Sequence, residues 1–405
     1  MQVKQIYELV NGAVAEVLGE QAITVKEDLS NLVDIGQTIA NAVGYDAYVK
    51  KLVNKIGKTI FVNRPYTGRA PKVLMDAWEY GSICEKISGG LLDAEENESW
   101  ELQSGSSYDQ DIFYAPKVDA KFFNGLKTFE CNISFAEKQV KQSFTSAERM
   151  NAFISMLYNE VDKTFTVMLD ALIMRTIETM IGESIYKDYP GGTYTGVGGT
   201  HAINLLALYN RDVAPSNPLT AENCLYSKEF LRFASSQIML WSNRMTQMSV
   251  LFNVGEKERF TPKDMQRIVL LDVLVTQAST YLDSDTFHDN LVALPNADTV
   301  SYWQGTGTGY ALSDVSKIDI KTPTNHEIEI SGVLGVIFDR DALGVTNLDR
   351  RVRSHVNDKA EFYTNFNKAD ANFFNDYNEN AIVFFVASET TQQANNSKTT
   401  KTVSK

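Results

Sequence analysis

Few residues in this sequence have the types and spacings that chemistry requires. Its four histidines, His201, His288, His326 and His355, form no HxxxH or HExxH pair, so the zinc-hydrolase signature is missing. Each reads as a surface or loop histidine. The cysteines Cys84, Cys131 and Cys224 are odd in number, far apart and without a CxxC pair, which fits reduced thiols in a cytosol rather than a disulfide frame or zinc ribbon. The glycines of YTGVGGTH (194–201) lack the GxxxxGK[ST] pattern of a phosphate loop and read as a flexible connector. Asp339 and Asp341, in FDRDALG, could be imagined as the carboxylate pair of a glycoside hydrolase, which needs the two groups about 5 or about 6.5–9.5 Å apart across a sugar. Two positions apart at a strand end, they fit a helix N-cap and a first-turn acid better. There is no G-x-S-x-G elbow, and no cysteine lies near a histidine in sequence. The expected catalytic, cofactor and metal sites are therefore none.

The aromatic residues Trp100, Tyr108, Phe113 and Tyr114 are different. They could stack on a sugar or base, but aromatics of this kind more often anchor protein interfaces, and they are the candidate interface residues. They sit on a segment that must be held out from the body. SICEKISGGLL before them and DIFYAPKVDAKFFNGLKTFECNISF around and after them alternate apolar and polar residues, with the acidic stretch DAEENESWELQSGSSYDQ between. The pattern predicts a long two-stranded excursion with a polar tip. Two strands alone are marginal in water, so this excursion needs a second surface, such as another subunit.

The remaining elements follow from periodicity. Residues 1–60 read as short helices separated by Gly36 and Gly44, the third carrying a small basic face at Lys50, Lys51, Lys55 and Lys58. Thr145 and Glu148 form a T-x-x-E capping box that opens a helix over 145–184. Its apolar stripe runs Phe153, Met156 or Leu157, Val161, Phe165, Met168, Leu172, with Gly182 as the stop. Some forty helical residues span about 60 Å, enough to form a backbone for other elements. Between 187 and 320, helices near 202–210 and 227–244 (the second opened by Ser227) and strand-like runs SVLFN and IVLLDV suggest a separate α+β lobe. EIEISGVLGVIFDRDALGV and, after a polar stretch to 380, AIVFFVA read as buried strands of one sheet. From Ser388 the tail has the composition of a disordered segment.

Composition narrows the function. With 43% hydrophobic residues the chain can bury a large core. Its 38 Lys+Arg against 51 Asp+Glu give −13, which disfavours a protein that works by neutralising phosphates but suits one that stays close to DNA without adhering. The N-terminus lacks the pattern of a signal peptide, and no run approaches 18 uncharged apolar residues, so the expectation is a soluble protein made inside the cell, with no membrane partner.

The order of parts, together with KTFECNISFAEKQVKQSFTSAERMNAFISML, ISGVLGVIFDRDALGV, AEFYTNFN and DYNENAIVFFVA, resembles tailed-phage major capsid proteins of the Hong Kong 97-type fold, over about residues 1–387. That resemblance implies an α+β chain divided into an N-terminal arm (1–62), an E-loop region (63–140), a P domain with a spine helix (141–186), an A domain (187–322), returning P-domain strands (323–387) and a tail (388–405). It implies hexamers and pentamers tiled into an icosahedral shell around double-stranded DNA, assembled in the cytoplasm of a bacterial host and ending in the virion capsid. The implied partners are other copies of the chain, a separate scaffolding protein, a portal protein and DNA contacted non-specifically. No cofactor or enzymatic activity is implied. The alternatives are an encapsulin-like nanocompartment shell with the same fold and, from another class, a carbohydrate-active hydrolase using Asp339.

Overall fold

A computed structural model describes residues 70–71, 73–75, 84–92, 94, 104–105, 111, 113–136, 147–283, 297–304 and 311–388. The expectations for the arm, for Trp100 and Tyr108, for His288, for the capping box at Thr145 and for the tail beyond Ser388 lie outside these residues, as do the side chains of the long helix before Val161.

In chain order the strands β1 (Leu74–Met75), β2 (Cys84–Gly89), β3 (Val118–Phe123) and β4 (Gly125–Ala136) precede helix α1 (Ala147–Asp188). Next come β5 (Ala202–Asn204), α2 (Leu205–Asp212), α3 (Lys228–Arg244), β6 (Gln266–Leu271) and α4 (Asp272–Asp283). The last part contains β7 (Asp298–Val300), β8 (Ile318–Lys321), β9 (Glu327–Ile330), β10 (Val333–Asp339), β11 (Leu343–Asn357), β12 (Phe362–Asn375) and β13 (Ala381–Phe385). The mixture is the α+β class expected.

Helix α1 has 42 residues and passes through the expected stop. A Cβ added at Gly182 would lie 3.2 Å from Ile320 Cγ2 and 3.3 Å from Ile328 Cδ1. The glycine is thus a close-approach point for the β8–β9 hairpin, not a C-cap. The stripe also needs correction. Val161, Phe165 and Leu172 are buried as expected, but Met168 is exposed and Leu169 takes its place, because the step of four from Phe165 stays on one helix face. From Thr176 to Ile185 every residue is buried, so this end of α1 is enclosed on all sides.

The enclosure comes from the β8–β9 hairpin on one side and, among other elements, a five-stranded sheet of order β5-β13-β10-β6-β7. β10 and β13 pair antiparallel, with Val336 opposite Val383, and every residue of both strands is buried. Their continuous apolar runs follow from two covered faces. Val333, Val336, Phe338, Val383 and Phe385 face the core shared with α1. Leu334, Ile337, Ile382 and Phe384 face a second core made with α2 and α3. Ser227 caps α3 as expected, its side chain accepting the Phe230 N–H. The EIEI run is β9 and pairs with β8 in a hairpin, not in the sheet of β10.

Three other expectations change. SVLFN is not a strand: Asn253 binds both the N–H and the carbonyl of Lys257 at 2.7 Å, which folds the segment into a turn with one bridge, Ser249 to Arg259. The run IVLLDV divides, strand to Leu271 and helix from Asp272. The polar stretch before residue 380 contributes the two longest strands, β11 and β12, in a sheet of order β1-β11-β12-β4. Their signal was hidden because the inward side of β12 carries Tyr363, Asn365, Asn367, Ala369 and Ala371, which are mostly small or polar.

Candidate interface

Strands β2 and β3 form a two-stranded antiparallel ribbon, shorter than the alternating segments predict, because GLKTFECNISF leaves it to pair with β12 as β4. Directly opposed pairs run Cys84–Phe123, Glu85–Phe122, Lys86–Lys121, Ile87–Ala120, Ser88–Asp119 and Gly89–Val118. Because side chains alternate, the ribbon has two chemically distinct faces. Cys84, Lys86, Ser88 and Lys121 turn toward the body and are partly covered. Glu85, Ile87, Val118, Ala120 and Phe122 turn outward, with Ile87 and Phe122 each 66% exposed. The bare side is therefore an apolar ladder.

The body-facing side is ionic. Lys86 Nζ lies 2.9 Å from Asp376 Oδ2, 2.8 Å from Glu379 Oε1 and 3.0 Å from the Asp341 carbonyl, so its three N–H donors are all used. Lys121 Nζ reaches Asp376 Oδ1 at 2.9 Å, and Lys257 reaches Asp119 at 2.6 Å. Arg259 approaches Glu379 at 3.5 Å. Burial alone would raise the Asp376 carboxyl, but the bonds from Lys121 and Lys86 outweigh it and hold the group below its ordinary value. Burial pulls the Lys86 ammonium down, yet Glu379 and Asp376 outweigh that and hold it above the lysine range.

Of the aromatic candidates, Phe113 and Tyr114 are 87% and 79% exposed on the segment leading into β3, and Trp100 and Tyr108 are outside the described residues. Leu91 and Leu92, just after β2, are also exposed. The ladder residues Ile87, Val118 and Phe122 were not singled out from the sequence. Alternation shows that a strand has two faces, but not which one the body covers.

The groups weighed for chemistry have structural partners instead. His201 lies in the loop just before β5, but it is buried and not at the surface: its Nδ1 lies 2.8 Å from Asp188 Oδ1 and its Nε2 3.1 Å from the Asn253 carbonyl. The backbone N–H groups of His201 and Ala202 donate to Asp188 Oδ2. The Gly-rich segment is therefore pinned to the end of α1, not a loose connector. His326 is half-buried, stacked on Tyr186 and 3.2 Å from Glu183, whereas His355 is exposed. Asp339 caps no helix. It accepts from Thr261 Oγ1 at 2.7 Å and from the Asp341 N–H at 2.9 Å, which makes a turn between β10 and β11. With its carboxylate so used, Asp339 does not suit the hydrolase alternative. Cys224 is buried, and its thiol is pushed up to about 12 by that burial. Among the described residues, no group of three or more His, Cys, Asp or Glu side chains could hold a metal ion, and no helix is long and apolar enough to cross a membrane.

The profile of the Phi29-like phage major capsid protein family matches residues 10–385. No curated protein matches. Among solved structures, the chain is similar to the capsid structure of Staphylococcus phage Andhra, at 12% identity and a TM-score of 0.48, covering 80% of this chain and 86% of that one. It is also similar to the capsid structure of the Cyanophage P-SCSP1u, at 10% identity and a TM-score of 0.43, covering 81% and 92%.

Proposed function

The chain belongs to the Phi29-like phage major capsid protein family, and from that premise we propose how it builds a shell. The observation that carries the reading is the apolar ladder of Ile87, Val118 and Phe122, left bare on a ribbon whose other face is already occupied. An exposed apolar strip of this kind marks a protein contact, and the partner is a second copy of the chain. In this reading the ribbon is the E-loop of a Hong Kong 97-type subunit, lying across its neighbour within hexamers and pentamers. Helix α1 is the spine of the P domain, and the lobe built on α2, α3 and α4 is the A domain.

The subunits tile into an icosahedral shell around double-stranded DNA, and the protein is a structural part of the virion with no chemistry of its own. Assembly takes place in the host cytoplasm with a separate scaffolding protein and a portal protein. The −13 balance favours an inner wall past which DNA moves without sticking. Family membership favours this shell over an encapsulin-like compartment.

Negative-stain electron microscopy of the full-length chain, alone and co-expressed with the neighbouring phage head genes, tests the reading. Closed shells, tubes or hexameric rings are expected. A chain that stays monomeric at high concentration under both conditions would overturn it.

A further inference from the structure

Among the described residues the ribbon has little apolar attachment to its own subunit. Neither of the two cores described above includes a residue of β2 or β3 among the described residues. At its root Phe123 meets Phe374, with ring centroids 5.1 Å apart. Beyond that contact the body-facing pairs are Lys86–Lys121 and Ser88–Asp119, and their contacts are ionic. Two strands of six residues do not hold a direction in water unaided.

The receiving side is stiff. Asp376 and Glu379 belong to the turn between β12 and β13, and their side chains are only 3% and 11% exposed. The Asp376 N–H donates to the Ala342 carbonyl, the Asn378 N–H donates to the Asp376 carboxylate, and the Gly255 N–H donates to the Tyr377 carbonyl. A rigid acidic socket thus faces two lysines on a weakly held ribbon. We propose that Lys86 is the positioning residue of the ribbon, and that with Lys121 and Asp119 it forms a salt-sensitive latch that aims the apolar ladder at the next subunit.

An apolar attachment would be insensitive to salt. The Asp119–Lys257 pair is 53% and 44% exposed on its side chains and Lys121 is 38% exposed, so added salt weakens these contacts most and the better covered Lys86 least, which loosens the ribbon while the cores persist. The latch acts before docking, which separates it from the interface itself. It rests on the reading of the ladder as an inter-subunit contact.

The test uses the full-length chain and reads amide hydrogen exchange of 84–89 and 118–123 in unassembled subunits, beside particle yield by electron microscopy. Lys86→Met is expected to speed ribbon exchange roughly tenfold and lower particle yield, with core amides unchanged. Lys86→Arg restores both, and raising wild-type samples from about 0.05 to about 1 M salt speeds ribbon exchange in the same direction but by less, through the exposed Asp119–Lys257 pair. Unchanged ribbon exchange in Lys86→Met and at high salt would overturn the latch. If Lys86→Met does not fold, Lys121→Met, which leaves Lys86 its three bonds, is expected to give a smaller increase, and no increase there or in salt overturns the proposal. Phe122→Ser separates the two ideas. It should lose particles without altering ribbon exchange; if it assembles normally, the interface reading fails while exchange still judges the latch.

Discussion

His201 Nδ1 lies 2.8 Å from Asp188 Oδ1, and this contact closes the Gly-rich segment onto the last residue of the long helix. Asp188 Oδ2 also accepts two backbone N–H groups, from His201 at 2.8 Å and Ala202 at 2.7 Å. A carboxylate at a helix C-terminus opposes the helix dipole, so the position needs these donors. Burial raises this carboxyl, but His201 and Ala202 outweigh it and lower it overall. Asp188→Ala leaves those donors unpaired and should cost about 2–4 kcal/mol in urea unfolding. Equal midpoints for variant and wild type would show that the corner does not depend on the pair.

Glu178 supplies a pH prediction. It is buried on α1 and its carboxyl is pushed up from 4.5 to about 7 by burial, against the opposing Gln304 hydrogen bond and Arg175 charge. The folded chain therefore holds this proton where the unfolded chain has released it. The contribution is complete below about 4.5, falls as pH rises and is lost above about 7. Glu178→Gln should match wild type near pH 4 and exceed it near pH 8 by something on the order of 3 kcal/mol. Denaturant melts at both values check the crossover.

Two glycines should respond differently to alanine. Gly332 has φ of +95°, and an added Cβ would sit 1.9 Å from the Val386 carbonyl oxygen, so Gly332→Ala should cost about 2 kcal/mol or more. At Gly182 the close atoms are methyl ends of Ile320 and Ile328, which can yield a few tenths of an ångström. Gly182→Ala should change stability by less than about 1 kcal/mol, whereas Gly182→Leu should overpack the hairpin and cost about 1–3 kcal/mol. Thermal melts of the three variants give the ranking.

The exposed aromatics predict a split between folding and association. Phe113→Ser with Tyr114→Ser removes side chains that stand in solvent, so the unfolding midpoint of the subunit should move by no more than about 0.5 kcal/mol. Sedimentation should show weaker self-association. A large drop in stability with unchanged association would mean that these rings serve the subunit's own fold.

Much of the frame was legible from local pattern. Forty-two residues of helix, the Ser227 cap and the buried runs of β10 and β13 each carry their signal within a few residues of themselves. β11 and β12 were not legible, because the side chains they bury include Asn365, Asn367 and Asn372, whose burial depends on surroundings that the strand itself does not encode. The stripe of α1 slipped from Leu169 to Met168 because both residues are apolar and only the packed neighbours choose between them.

By itself the sequence determined the class of the protein: an acidic α+β chain with one very long helix and an alternating excursion, without a zinc-hydrolase, phosphate-loop or G-x-S-x-G motif. Hydropathy period, capping and composition are local or summed properties, so they can be read in one dimension. Only the tertiary structure decided which face of the ribbon is bare, where its lysines find their acids, and that His201 locks the helix end. Each joins residues far apart in the chain, and whether a side chain meets water, a carboxylate or a packed methyl group is settled only when the chain has folded.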